Sequence, residues 1–548
     1  MFNLQCSQQD GEQDESGTET TEAEAVESME TENNTSAFDE VITSGIFPKG
    51  RQAKKIIQVT EPSSFSDKLL LASIQGQAAK HSDEQILIKN GAIDLYTPYI
   101  RSGWEAEVSA RVNGKAATVQ NLAEYYKDIV KGYILCDSEE NARSVPVAIS
   151  LAGVTDAVVA TDQTAAMLDA LGYECLVDVT GQTDSWLRES EYWDKLSRSV
   201  AFEQPASMAP KLVDYSILCG AYFTFYKGTM QSRHKEIYEF LDDGAVIFGY
   251  NNVLGEFDTV ESFGEINLQM VPADHAYNLS TLSGFPLESL SQKRAEWEET
   301  PENVHTVCFM MSDGDNIQWV LNNFATGSEW YGNKKRGNFP MAWGVAPSSI
   351  DVIPPMLSYL YDNMTEKDEF VMQLSGVGYT FASRWDAEAR RAMIADLAEQ
   401  MQRCDTRYME VLDDHGFTEE LMADYTAQDG IDGLFYIEYH GYASHNGEII
   451  WTNGKPAVSA RHMLWADHAD GTVDYLARQL NAASTDPTSE DAYSFVILHC
   501  WSGYKNGQLV PFGNTMDAVA DLVSKLNDNV EVVTPSVFME RIVKNCGK

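Results

Sequence analysis

The stretch that decides the fold is His305-Thr-Val-Cys-Phe-Met-Met311, followed at once by Ser312-Asp313-Gly314-Asp315-Asn316. Val307 to Met311 is an unbroken apolar run, too short for a helix and without the alternation of a strand that has one wet face. Such a run reads as a strand covered on both sides, as in a parallel sheet flanked by helices. The polar, glycine-containing cluster behind it reads as the turn that leaves the strand's carboxyl end.

Outward from this stretch the same pattern recurs. Phe339–Val345, Phe370–Ser375, Tyr408–Leu412, Gly433–Tyr439, Ser494–Cys500 and Val530–Thr534 read as further strands. Amphipathic helical stretches lie between them, among them Ile353–Asn363, Ala387–Arg403, Val473–Ala483 and Met516–Asn527. Seven strand–helix units predict an α/β fold with a seven-stranded, TIM-like (β/α) barrel over residues 300–548. One interruption is expected after the fifth strand: Asn453-Gly454 between two short runs predicts a β-hairpin.

Upstream, a smaller α/β domain is expected over residues 46–290. Its clearest part is strand Gly132–Cys136, helix Ser138–Ala152, strand Ala157–Ala160, helix Asp162–Leu171 and strand Glu174–Val179. Residues 46–130 show no dominant period. Leu287 to Asn303, with Lys293, Arg294, Glu296, Glu298 and Glu299, reads as a polar, helix-like boundary. Residues 1–45 differ in kind: Asp10 to Glu40 holds twelve carboxylates and no Lys or Arg, which predicts a disordered acidic tether.

The 548-residue chain carries 39 basic and 83 acidic residues, a net charge of -44. That field repels phosphate backbones and so argues against nucleic acid as a partner, while it suits neutral or cationic ligands. No apolar run is long enough to span a bilayer. Cys6 ahead of a polar tether is how a bacterial lipoprotein begins once its signal peptide is gone, so a lipid anchor at Cys6 is expected. Asn3-Leu4-Gln5 matches such a cleavage site poorly, and the expected location is secreted or cell-surface anchored, with the signal segment truncated. The eight cysteines form no CxxC pair and several sit in apolar runs, which predicts buried free thiols.

In a (β/α) barrel, chemistry gathers at the carboxyl ends of the strands. There the sequence places Asp313, Asp315 and Asn316, then Trp343, then Gly376, Gly378 and Tyr379. Further along come Asp414, Glu438 with His440, and His499 with Trp501. Seven of the eleven tryptophans lie beyond residue 300. Carboxylates for acid–base work beside aromatic faces for stacking are what a sugar-handling site requires. Asp313 and Asp315 would equally serve as helix caps, and the two glycines as parts of a tight turn.

Gly376-Val377-Gly378-Tyr379-Thr380-Phe381 resembles the motif of the GxGYxYP putative glycoside hydrolase family, with Phe381 and Ala382 where the motif has Tyr and Pro. Ser312–Asn316 with Trp319, Pro272-Ala273-Asp274 with Asn278-Leu279-Ser280, and the Trp451–Pro456 hairpin support the likeness. The resemblance implies a bacterial, often secreted protein in which a smaller domain precedes a barrel. The last two strands also resemble the end of the polysaccharide deacetylase barrel, through Leu498-His499 and Val533-Thr534-Pro535 with Ser536–Val543 as final helix. The His-x-x-x-His of that family is missing: His440 and His445 are five apart, His462 and His468 six.

The expected function is hydrolysis of an oligosaccharide or polysaccharide by paired carboxylates, with no cofactor. Glu438, in a setting of Tyr436, Tyr439 and Tyr442, is expected as the acid, with Asp315 or Asp414 as its partner. Asp313, Asn316, Trp343, Gly376, Gly378, Tyr379, His440, His499, Trp501 and Asp274 are expected to bind substrate. Two alternatives stay open. One is an esterase using a divalent metal on Asp313, Asp315, His440 and His499. The other is a surface glycan-binding protein using Trp343, Tyr379 and Trp501.

Overall fold

The sheet that opens with His305–Met311 has ten strands, the seven main ones of the expected pattern among short additions. In chain order they are β1 (His305–Met311), β2 (Met341–Val345), β3 (Asp368–Met372), β4 (Tyr408–Asp413) and β5 (Gly433–Glu438), then β6 (Ile449–Thr452), β7 (Lys455–Ser459), β8 (His462–Leu464), β9 (Tyr493–Leu498) and β10 (Val530–Val532). The computed structural model describes residues 46–295, 299–466, 468–505, 508–511 and 514–547. The expected tether and Cys6 lie outside those residues.

Strands β1 to β5 lie side by side in chain order, all parallel, and β9 flanks β1 on the other side. The surplus over seven comes from short additions. β6 and β7 are the hairpin foreseen at Asn453-Gly454, whose φ values of 53° and 74° are those of the turn that Asn-Gly favours. β7 pairs in parallel with β5, β8 with β9, and only Ala460 and Arg461 separate them. Ala460 N donates to Tyr436 O at 2.8 Å and Arg461 N to Phe495 O at 2.9 Å. β10, expected as a full strand, pairs only with His305–Val307 at the start of β1. The result is a mixed α/β fold whose C-terminal sheet curls as a half-barrel. Helices Pro354–Asp362, Ala387–Arg403, Val473–Ala482, Thr515–Ser524 and Pro535–Cys546 accompany it.

Upstream the chain forms three small parallel sheets. Glu84–Lys89, Lys55–Thr60 and Glu107–Ser109 make the first; Ala157–Ala160, Gly132–Leu135 and Cys175–Asp178 the second. The third runs Tyr222–Thr224, Val200–Glu203, Val246–Phe248, Gln269–Val271. The helix Phe65–His81 was not visible as a period, and the reason is its burial: it is covered nearly all round, so no polar stripe marks it. A buried core runs from Phe47 through these sheets into β1–β9, and the described residues form a single compact unit.

The helix expected from Leu287 is absent over the described residues 287–295. Side-chain bonds tie the segment to β3 and to the turn at Asp405 instead. Gln292 exchanges two bonds with the Phe370 backbone (2.6 and 3.2 Å), and Arg294 Nη1 meets Asp405 Oδ1 at 2.8 Å. Glu296 and Glu298 lie outside the described residues.

Candidate active site

A cavity of about 290 Å³ opens at the carboxyl ends of the curled sheet. Its walls come from both halves of the chain: Tyr250, Glu256, Met270 and Pro272 from upstream, and from the curled sheet and its loops Asp313, Asp315, Asn316, Tyr379, Glu410, Tyr439, Tyr442, Trp465 and His499 among others.

The DGD turn places two of the carboxyls. Asp313 adopts a left-handed φ of 64°, and Gly314 N donates to Gln373 Oε1 at 2.7 Å. Gln373 Nε2 in turn donates to Met311 O (3.0 Å) and to Glu410 Oε2 (2.8 Å), tying the end of β1 to the middle of β4. Asp313 Oδ2 accepts from Ser312 Oγ and, at 3.2 Å, from Cys500 Sγ. The short helix that follows, Ile317–Trp319, has Asn316 at its N-cap without a side-chain cap bond, so neither Asp serves as its cap.

Burial pushes the Asp315 carboxyl well above the usual range, and the charges of Asp313 and Glu256 add to it. Glu410 is pushed well above its ordinary value too, first by burial and further by Asp315 and Asp313, against the opposing bond from Gln373. Burial raises Glu256 as well, although Tyr379 Oη donates to its Oε1 at 2.9 Å.

The GxGY loop works by close approach. A Cβ on Gly376 would lie 2.6 Å from Gln269 Oε1, and one on Gly378 2.7 Å from Met270 O. With only hydrogens there, Gly378 N donates to Gln269 Oε1 (2.9 Å) and Tyr379 N to Met270 O (2.6 Å), while Met270 N returns a bond to Tyr379 O (2.9 Å). The loop is thereby stitched antiparallel to Gln269–Val271, and Tyr379 is aimed at Glu256. Phe381, which replaces the motif's second Tyr, is fully buried against Phe257 (5.4 Å) and Tyr439 (5.3 Å).

Of the residues expected to act, Asp313, Asp315, Asn316, Tyr379 and His499 line the cavity. His499 lies flat on Trp465, 3.8 Å between ring centres, and Tyr442 stacks on the same indole at 4.3 Å. Gly376 and Gly378 are not among the lining residues; they pack against Gln269 and Met270, of which Met270 lines the cavity.

Glu438 is not among the lining residues, and strand alternation explains why. Its neighbour Ile437 faces the cavity, so Glu438 faces the other way. There it accepts from His415 N (2.8 Å), Tyr436 Oη (3.1 Å) and His445 Nε2 (3.0 Å). Asp414 is held by Arg384 Nη2 (3.1 Å) and His440 Nδ1 (2.8 Å), and neither it nor His440 lines the cavity. Trp343 corrects the expectation of a sugar platform: it is fully buried, donates to Asp368 Oδ1 at 2.8 Å, and offers no open face. Trp501 packs beside Trp319 and Trp330 at 5.3 and 5.4 Å. Asp274 sits 3.5 Å from His275 Nε2, its carboxyl raised chiefly by burial. Asn278, in the same motif, is structural: it accepts from Gln75 Nε2 (2.8 Å) and Ile88 N (2.7 Å).

Sequence reading missed Glu256, Glu410, Tyr250 and Trp465. Glu410 carried a signal, as a lone carboxylate inside an apolar strand (Tyr-Met-Glu-Val-Leu). Glu256 carried none. Among the described residues, the group of metal-ligating side chains whose donor atoms lie within 4.8 Å of one another is Asp414, His415 and Glu438, a different set from the one expected for a metal esterase.

A family model for the GxGYxYP putative glycoside hydrolase C-terminal domain matches residues 303–543; the GxGYxYP_N second domain matches 130–196 and the GxGYxYP third domain 198–284. A search of curated proteins finds no match. Among solved structures, a putative hydrolase from Bacteroides thetaiotaomicron VPI-5482 is similar, with 28% identity and a TM-score of 0.82 over 92% of this chain and 98% of that one. The chain belongs to the GxGYxYP putative glycoside hydrolase family.

Proposed function

We propose that the protein hydrolyses a glycosidic bond in the cavity at the sheet's carboxyl edge, with Asp315 as general acid and Asp313 as nucleophile or base. The observation that carries this reading is the pair of carboxyls, Asp313 and Asp315, that the DGD turn presents to one cavity. Burial and adjacent charge favour the protonated form of Asp315, as an acid that must donate to a leaving oxygen requires. Asp313, which also lines the cavity, is held in place there by bonds from Ser312 Oγ and Cys500 Sγ. Tyr250, Tyr439 and Tyr442 supply aromatic wall for a sugar ring. The half-barrel curl supports a further reading as a seven-stranded, TIM-like barrel in which β7 and β8 count as one strand. We place the protein's work outside the cell or at its surface, where a glycan polymer would be met.

The deacetylase reading has less support, because His440 pairs with Asp414 outside the cavity. The receptor reading loses Trp343 to the core. Mass spectrometry of acetylated and unacetylated glycans incubated with the protein tests all three. Chain cleavage lost in Asp315→Asn and in Asp313→Asn, yet retained in Glu438→Gln, is the expected result. Acetyl release without cleavage, or binding without either, would overturn it.

A further inference from the structure

The cavity holds four carboxyl groups, more than the two that glycoside hydrolysis uses: Glu256, Asp313, Asp315 and Glu410. No Lys or Arg is among the described residues that line it. Glu410 is 1% exposed, and its Oε1 has no hydrogen-bond partner among the described residues, while Oε2 is held by Gln373. A buried carboxyl oxygen without a hydrogen-bond partner is costly unless something else supplies one. Among the described residues, none of these carboxyls belongs to a set of three metal-ligating donors within 4.8 Å of one another, so they do not converge as a metal cage. They are spread around a space of about 290 Å³, room for a small organic group of several atoms.

We propose that this cavity selects a sugar unit bearing a free protonated amine, its ammonium seated against Glu410 Oε1, with the Glu256 carboxyl and the tyrosine faces close by. An ammonium brings three donors and a positive charge, and so answers both the orphaned oxygen and the crowding of carboxyls. Tyr250, Tyr439 and Tyr442 offer ring faces that attract a cation. The chain's charge of -44 draws cations toward the protein and repels uronates and sulfated sugars. An N-acetyl group removes the charge and two of the donors, so the same carboxyls would disfavour it. This selection rests on the cavity proposed above as the reaction site, but it is read by binding and does not need turnover.

Titration calorimetry of the full wild-type chain tests it with monosaccharides, which contain no bond to cleave. Glucosamine and galactosamine are compared with their N-acetyl forms, with glucose and galactose, and with glucuronate and galacturonate. At least one amine sugar is expected to bind about tenfold or more tighter than its N-acetyl and neutral counterparts, as one charge-assisted contact allows. Uronates are expected not to bind. That preference should shrink as pH falls and the carboxyls take up protons, and in Glu410→Gln. Equal or tighter binding of the N-acetyl, neutral or uronate sugars would overturn the proposal, as would no binding of either amine sugar. Should Glu410→Gln fail to fold, the ligand series on the wild-type chain still decides. Cleavage of neutral glycans without amine preference would leave the hydrolase standing and sink this inference; amine preference without cleavage would do the reverse.

Discussion

Replacing Gly378 by Ala should open the cavity from behind. The new Cβ would lie 2.7 Å from Met270 O and 3.1 Å from Met270 C, both backbone atoms that no rotamer change can move. The GxGY loop must then lift from Gln269–Val271, and three hydrogen bonds go with it: Gly378 N to Gln269 Oε1, Tyr379 N to Met270 O, and Met270 N to Tyr379 O. At about 0.5–1.5 kcal/mol net for each, the local cost is roughly 2–4 kcal/mol. Hydrogen exchange followed by mass spectrometry reads this directly. Peptides that span 268–271 and 377–381 should exchange about 30- to 1,000-fold faster, since each 1.4 kcal/mol is a factor of ten in the local opening equilibrium. Tyr379 would lose its aim at Glu256, so turnover should fall as well. Gly103→Ala is the control, because nothing lies within 4 Å of its Cβ position. Unchanged exchange in both peptides of Gly378→Ala would refute the claim that close backbone approach is the motif's task.

Three more outcomes are expected. Burial pushes the Asp413 carboxyl up to about 6, against an unfolded value of about 3.9, so its contribution to stability is full below the unfolded value and lost as pH rises through 6. The stability of the wild type relative to Asp413→Asn should therefore drop by about 2 kcal/mol between pH 4 and pH 8 in urea titrations, and a constant difference would contradict this. Tyr379→Phe removes the hydrogen bond that favours charge on Glu256, so any Glu256-dependent limb of a pH–rate or pH–binding profile should move to higher pH; no movement would detach Tyr379 from Glu256. Trp343→Phe should cost about 1–3 kcal/mol by stranding Asp368 Oδ1, yet leave glycan binding as it was, which a binding isotherm beside a melting curve will show.

How far the sequence could be read depended on what kind of signal each feature left. β1 and β5 stood out because a strand covered on both faces is written as an unbroken apolar run, and the Asn453-Gly454 hairpin because its turn needs two positive φ angles. The helix Phe65–His81 left no trace for the complementary reason: a helix buried all round has no polar stripe. Glu438 misled because it ends an apolar strand, and only period-two alternation from Ile437 shows that it turns away from the cavity. Glu410 left a signal, a lone carboxyl in an otherwise apolar strand, but nothing local shows that it lines the cavity. Glu256 reaches the site from a segment 57 residues before Asp313, and long-range placement of that sort is a property of the fold, not of local pattern.

The stitch between Met270 and Tyr379 has a practical corollary for anyone handling this gene product in pieces. A fragment starting near residue 300 would keep the curled sheet and the DGD turn, but would arrive without Tyr250, Glu256, Met270 and Pro272. Such a fragment should be inert even if it is soluble, with an apolar scar where Gln269–Val271 had docked. Conversely, grafting the upstream third domain of a relative onto this sheet would exchange one wall of the reaction chamber and leave the DGD turn in place. Chimeras joined between residues 284 and 303 are thus a direct way to retune what the chamber accepts.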